Sequence, residues 1–152
     1  MQDQTLGADP VAVRRQGGAP TDAVVVLTAV PDALLGKRIA HCLVEESLVA
    51  CAHVGAAVTA MYLWEGKLEG GNEFPLTLKT TADAVPALHA RLCELHPYQV
   101  PEFLVLPVDA GSRAYLDWTA QATRRAVIPA HGSLDGDQPA HPGHSGKHDA
   151  EE

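Results

Sequence analysis

An α+β sandwich of the split βαβ, ferredoxin-like type, with a long β-hairpin and one added C-terminal helix, is the fold this sequence predicts. Three observations carry it. Apolar periodicity switches between strand and helix in the order strand, helix, hairpin, helix, strand, helix. Two alternating stretches, 58–68 and 73–80, flank a turn rich in glycine. A stiff segment, His96-Pro97-Tyr98-Gln99-Val100-Pro101-Glu102, then closes one helix and leads into a strand. Its two prolines fix φ, remove two backbone donors and push His96 and Val100 toward extended geometry, so no helix runs through it.

Each element has a local cause. Ala23 to Ala29 is a near-continuous apolar run, the pattern of a strand at a sheet centre or buried on both faces. Pro31 and Asp32 open a helix in which Leu35, Ile39 and Leu43, with Ala40 and Val44, line one face. Gly36 weakens that helix by up to about 1 kcal/mol relative to alanine unless close packing needs it. A short strand follows from Cys51 to Val54, with a turn at Gly55. Val58 to Leu68 pairs across Glu69-Gly70-Gly71-Asn72 with Glu73 to Thr80, and Pro75, unable to donate to a ladder, should mark an edge or a bulge. Thr81 is a candidate N-cap for a second helix ending at Leu95, with Val85, Leu88, Leu92 and Leu95 as its buried stripe. Phe103 to Val108 reads as a strand, and Ser112 to about Arg125 as a closing helix that carries Tyr115 and Trp118.

Composition narrows the function. At 152 residues, with 46% hydrophobic content, the chain is one soluble globular domain by length and composition. Its working part is 22–126. The ends, 1–21 and 127–152, are poor in large apolar residues and read as disordered tails. A net charge of −8 disfavours nucleic acid, and no apolar run is long enough to span a bilayer. Three cysteines at no metal-like spacing fit a reducing cytoplasm. Phosphate-loop, serine-elbow and zinc-helix motifs are absent, so no catalytic residue is assigned and the chain does not read as an enzyme. Cys42, Cys51 and Cys93 read as small buried residues rather than activated thiolates.

The order and spacing of several short pieces resemble one family. They are Pro31-Asp32, Leu43-Val44-Glu45-Glu46 into Leu48-Val49-Ala50-Cys51-Ala52, and Tyr62-Leu63-Trp64-Glu65-Gly66-Lys67. Leu78-Lys79-Thr80-Thr81, the 96–102 segment, Leu106-Pro107-Val108 and Tyr115-Leu116-Asp117-Trp118 follow. Over residues 23–120 the chain resembles the CutA divalent-cation tolerance proteins. That resemblance implies a non-enzymatic homotrimer whose long hairpin reaches neighbouring protomers and which serves divalent-cation tolerance or response. An eleven-residue strand carrying Tyr62 and Trp64 independently asks for a covering partner.

Two kinds of site follow. The resemblance implies a metal ligand at His96, for copper or zinc through its imidazole. In some bacterial members copper is assigned to a cysteine ending the first strand and to two adjacent histidines. Those positions here are Thr28, Leu95 and His96, so only His96 remains. No cofactor is required, and His131, His141, His144 and His148 form a second, looser metal candidate in the tail. The other expectation is a ligand cleft between protomers, as in a PII-like sensing trimer. Tyr62, Trp64, Glu73, Lys79, His96, Tyr98 and Glu102 would supply its aromatic wall and polar groups, with Lys79 and His96 on a polar or anionic metabolite. A structural assembly platform without a small ligand is the remaining alternative.

Overall fold

The computed structural model describes residues 22–124. Both predicted tails, the tail histidines and Arg125 therefore lie outside the described residues. The elements run β1 (Ala23–Val30), α1 (Ala33–Glu45), β2 (Cys51–Val54), β3 (Val58–Trp64) and β4 (Lys67–Thr81). A 3-10 turn (Ala82–Ala84), α2 (Val85–Leu95), β5 (Leu104–Pro107) and α3 (Arg113–Ala122) complete them. The sheet is antiparallel in the order β2-β4-β1-β5, with β3 also on β4, and this is the strand order of the predicted split βαβ sandwich. No helix among the described residues is long and apolar enough to cross a membrane.

One sheet face carries the core. Val24, Val26 and Val30 of β1 and Leu76 and Leu78 of β4 pack with Ile39 and Leu43 of α1 and with Val85, Leu88 and Leu92 of α2. The β1 run is therefore not buried equally on both faces. Burial alternates along it, and Val25 and Leu27 are only half-buried on the other side. There α3 covers one end, where Thr81 Oγ1 and Thr123 Oγ1 lie 3.3 Å apart. Thr81 precedes the 3-10 turn but makes no side-chain cap, so its hydroxyl serves α3 instead of α2. Asp32 does cap α1, accepting from the Leu35 N–H at 2.8 Å. Gly36 has a packing reason: a Cβ there would meet Val30 Cγ2 at 3.1 Å and Val54 Cγ1 at 3.3 Å.

The hairpin turn differs from the prediction. It falls at Glu65-Gly66, not at Glu69-Gly70-Gly71-Asn72, and Trp64 pairs directly with Lys67. A two-residue type I′ loop, which suits strand twist, needs positive φ at both central positions, and Glu65 (φ 49°) and Gly66 (φ 77°) supply it. Gly70 and Gly71 then lie inside β4, opposite Met61 and Ala60. Strand β3 shortens to seven residues and β4 lengthens to fifteen. Pro75 sits at the bulge that its chemistry demands. Val54 pairs with Leu76 but Val58 with Glu73, so three residues, 55–57, face two, 74–75. The Pro75 carbonyl accepts from the Gly55 N–H at 2.8 Å. In an antiparallel strand N–H and C=O of one residue point the same way, so the missing donor faces this interruption and no ladder bond is lost.

Gly36→Val should lower thermal stability by about 2 kcal/mol, because the added Cβ is already at the contact limit and carries two methyls further into it. A melting temperature equal to that of the unsubstituted protein would show that α1 can move away from β1.

Candidate functional site

The 96–102 segment is held by one imidazole. Pro97 pushes His96 out of helical geometry, to φ −84° and ψ 137°, while its N–H still closes α2 on the Leu92 carbonyl at 2.8 Å. The side chain is 7% exposed. Its Nε2 lies 2.8 Å from the Ala29 carbonyl oxygen, and its Nδ1 accepts from the Tyr98 N–H at 3.1 Å. A carbonyl only accepts, so Nε2 carries the hydrogen, and Nδ1 must keep its lone pair for Tyr98. The imidazole is neutral, in one tautomer, with both nitrogens engaged. That geometry does not fit the predicted metal role of His96, since neither nitrogen has a lone pair to offer a cation. Thr28, in the neighbouring β1 position, is buried with a hydroxyl that has no hydrogen-bond partner among the described residues. Among the described residues no three His, Cys, Asp or Glu side chains come together as a donor set.

The seven predicted ligand residues separate into groups. The His96 ring lies tilted against Tyr98, with centroids 4.9 Å apart. Because His96 is bonded to Ala29, and Ala29 pairs with Pro75, Tyr98 is brought to the middle of β4, where Glu73 lies. Its phenol is held above the ordinary tyrosine range, first by burial, then by the Glu73 charge, then by Tyr62. Tyr62 and Glu73 lie on one face of the hairpin, Tyr62 opposite Glu69 and Glu73 at the root opposite Val58, and Tyr98 stands within electrostatic reach of both. Trp64 stands apart at the hairpin tip, 62% exposed, and Glu102 is exposed with no bond joining it to this group among the described residues.

Lys79 is elsewhere. It pairs with Val25 and Cys51, four residues along β4 from Pro75, and its Nζ reaches His53 Nδ1 at 3.2 Å and Cys51 Sγ at 4.0 Å. It does not join His96, so the predicted anion contact by that pair is not formed. Strand alternation puts Cys51 and His53 on one face, but only the cross-strand register reveals that Lys79 lies over them. Tyr115 of α3 adds to this second group: burial, then the Cys51 sulfur and a hydrogen bond to it, push its phenol up.

Known proteins place this architecture. A family model described as CutA1 divalent ion tolerance protein matches residues 24–122. The divalent-cation tolerance protein CutA of Thermus thermophilus is 43% identical over 99 residues, covering 65% of this chain and 96% of the relative. That of Pectobacterium atrosepticum is 40% identical over 103 residues, covering 68% and 94%. Among solved structures, the Thermus thermophilus protein superposes with a TM-score of 0.65 at 42% identity, over 66% of this chain and 98% of that one. CutA1 from Oryza sativa gives 0.67 at 34% identity, over 70% and 98%.

Two outcomes test this geometry. His96→Ala should cost about 1–3 kcal/mol of stability, since it leaves a part-buried carbonyl and a part-buried N–H without their partner. Calorimetric copper and zinc titrations of folded His96→Ala should match those of the unsubstituted protein. Glu73→Gln should let Tyr98 ionise at lower pH, because removing a neighbouring negative charge makes phenolate easier to form. Part of the upward shift should survive, as burial is its largest cause. Ultraviolet titration of a variant retaining only that tyrosine reads it directly.

Proposed function

This chain belongs to the CutA1 divalent ion tolerance protein family, and from that membership we propose that it serves divalent-cation tolerance as a non-enzymatic homotrimer. The observation that carries the assembly is the apolar surface left open in one protomer. Leu63 is 72% exposed, and Met61 and Leu68 are nearly as open on the same hairpin face. Leu104 and Leu106 of β5 are exposed on the sheet face opposite the core, beside an unpaired strand edge. An edge and a hairpin of this kind invite pairing, and a closed ring of copies covers both without leaving free ends.

The donor geometry favours tolerance without a cation or other cofactor held at His96, whose role in this reading is to fix the loop. A second reading, a PII-like sensing trimer, is favoured by the convergence of Tyr62, Glu73 and Tyr98. In that reading these three form one wall of an intersubunit cleft, and an approaching protomer supplies the other. We place the protein in the cytoplasm because Cys42, Cys51 and Cys93 are all free thiols, although the relative from Archaeoglobus fulgidus is described as periplasmic.

Native mass spectrometry of untagged protein should give a trimer that survives chelation and carries less than one copper or zinc per chain. Leu63→Glu combined with Leu104→Glu should shift the population toward monomer. A monomer at every concentration, or a trimer that falls apart on removing metal, would overturn the proposal.

A further inference from the structure

We propose that Lys79 anchors the contact between copies by taking the Glu69 carboxylate from the projecting hairpin of the neighbouring copy. The inference rests on the homotrimer proposed above and names the ion pair within it. The sheet face away from the helical core is nearly all apolar. Register sets Cys51, Lys79, Val25 and Leu106 side by side in one row across it, and His53, Thr77, Leu27 and Leu104 in the next. Lys79 carries the fixed charge of those two rows. Its Nζ lies 4.0 Å from Cys51 Sγ and 3.2 Å from His53 Nδ1, and it contacts no carboxylate among the described residues. An ammonium only donates, so the imidazole it faces keeps a lone pair and brings no counter-charge.

Lys79 is already half-buried in one copy. A second copy that covers Leu104 and Leu106 also covers Lys79, in the same row as Leu106, and takes its ammonium out of water. A charge withdrawn from water without a counter-charge opposes assembly, so the covering surface has to bring an acid.

Strand β4 carries that acid on the same face. Leu76 and Leu78 point into the core, so alternation puts Lys79, Glu73 and Glu69 on the opposite side. Glu69 is exposed, stands opposite Tyr62 in the hairpin and has no hydrogen bond or ion pair among the described residues. From position 69 to position 79 the strand runs about 33 Å, so the two side chains cannot meet within one copy. Glu73 is half-buried and already faces Tyr98 of its own chain. From Glu73 toward the tip β4 has only β3 beside it, so the hairpin carries Glu69 past the end of the sheet. In a closed ring each copy gives one carboxylate forward and one ammonium back, and the pairs close with none left over.

Zero-length carbodiimide coupling of the untagged full chain, followed by peptide mass spectrometry, should join Lys79 to Glu69. Sedimentation velocity at a fixed urea concentration and low salt reads the strength of the contact. Lys79→Glu and Glu69→Lys each set like charges together. Each should raise the protein concentration needed for half-assembly by about tenfold or more. The double variant restores opposite charges and should recover most of that loss. A trimer in which Lys79 couples to another carboxylate or to none overturns this contact and leaves the trimer standing. So do single variants that assemble as well as the unsubstituted chain, or a double variant no better than either. A monomer at every concentration overturns the trimer and this contact together. Should Lys79→Glu fail to fold, the cross-link and Glu69→Lys decide, since position 69 is exposed on the hairpin.

Discussion

The pairing of Ala29 with Pro75 is the constraint on which the rest of this structure depends. Strand β4 runs for fifteen residues and changes partner on one side, from β2 to β3, at that level. A residue with a backbone donor there would need an acceptor at a point where the register slips by one. Proline needs none, and its carbonyl takes the Gly55 N–H that ends β2. On the opposite side of the pair, the Ala29 carbonyl takes the His96 imidazole. One cross-strand pair thus fixes the start of the projecting hairpin and the path of the chain between α2 and β5. Tyr98 comes within electrostatic reach of Glu73 because both are tied to it.

Sequence alone carries most of the fold here, for a physical reason. Element type follows from short-range periodicity, and the alternation in β4 and the stripe of Val85, Leu88 and Leu92 are both strong. The hairpin turn was not legible in the same way. Glu69-Gly70-Gly71-Asn72 has the better turn composition, but a two-residue loop at Glu65-Gly66 aligns Trp64 with Lys67 and leaves every following pair in register. A glycine pair inside a strand and a glycine pair in a turn look alike until pairing is known. Thr81 is a similar case: its hydroxyl has two possible employments, and tertiary contact with Thr123 wins over local capping.

The candidate site was legible in its residue types and not in its grouping. Seven side chains on three elements suggested one cleft, yet strand pairing separates Lys79 from His96 by four positions along β4. His96 shows the general difficulty most sharply. An imidazole next to a proline in a stiff loop is equally good as a ligand or as a fastener, and only its two bonding partners distinguish them. Here the Ala29 carbonyl and the Tyr98 N–H consume both nitrogens. The two prolines make the segment stiff, and that fastening decides where the stiff segment sits.

Charge sets the two groups that the structure does form apart. Around Tyr62, Glu73 and Tyr98 the fixed charge is negative, and phenol faces add to an environment that favours cations. Around Lys79 the fixed charge is positive and sits between a thiol and an imidazole. A single small anion spanning both would meet Glu73 at one end, at a cost no Lys79 contact at the other end offsets in screened solvent. The protomer therefore carries two chemically opposed groups on one strand, an acidic one around Glu73 in the hairpin and a cationic one around Lys79 deeper in the sheet.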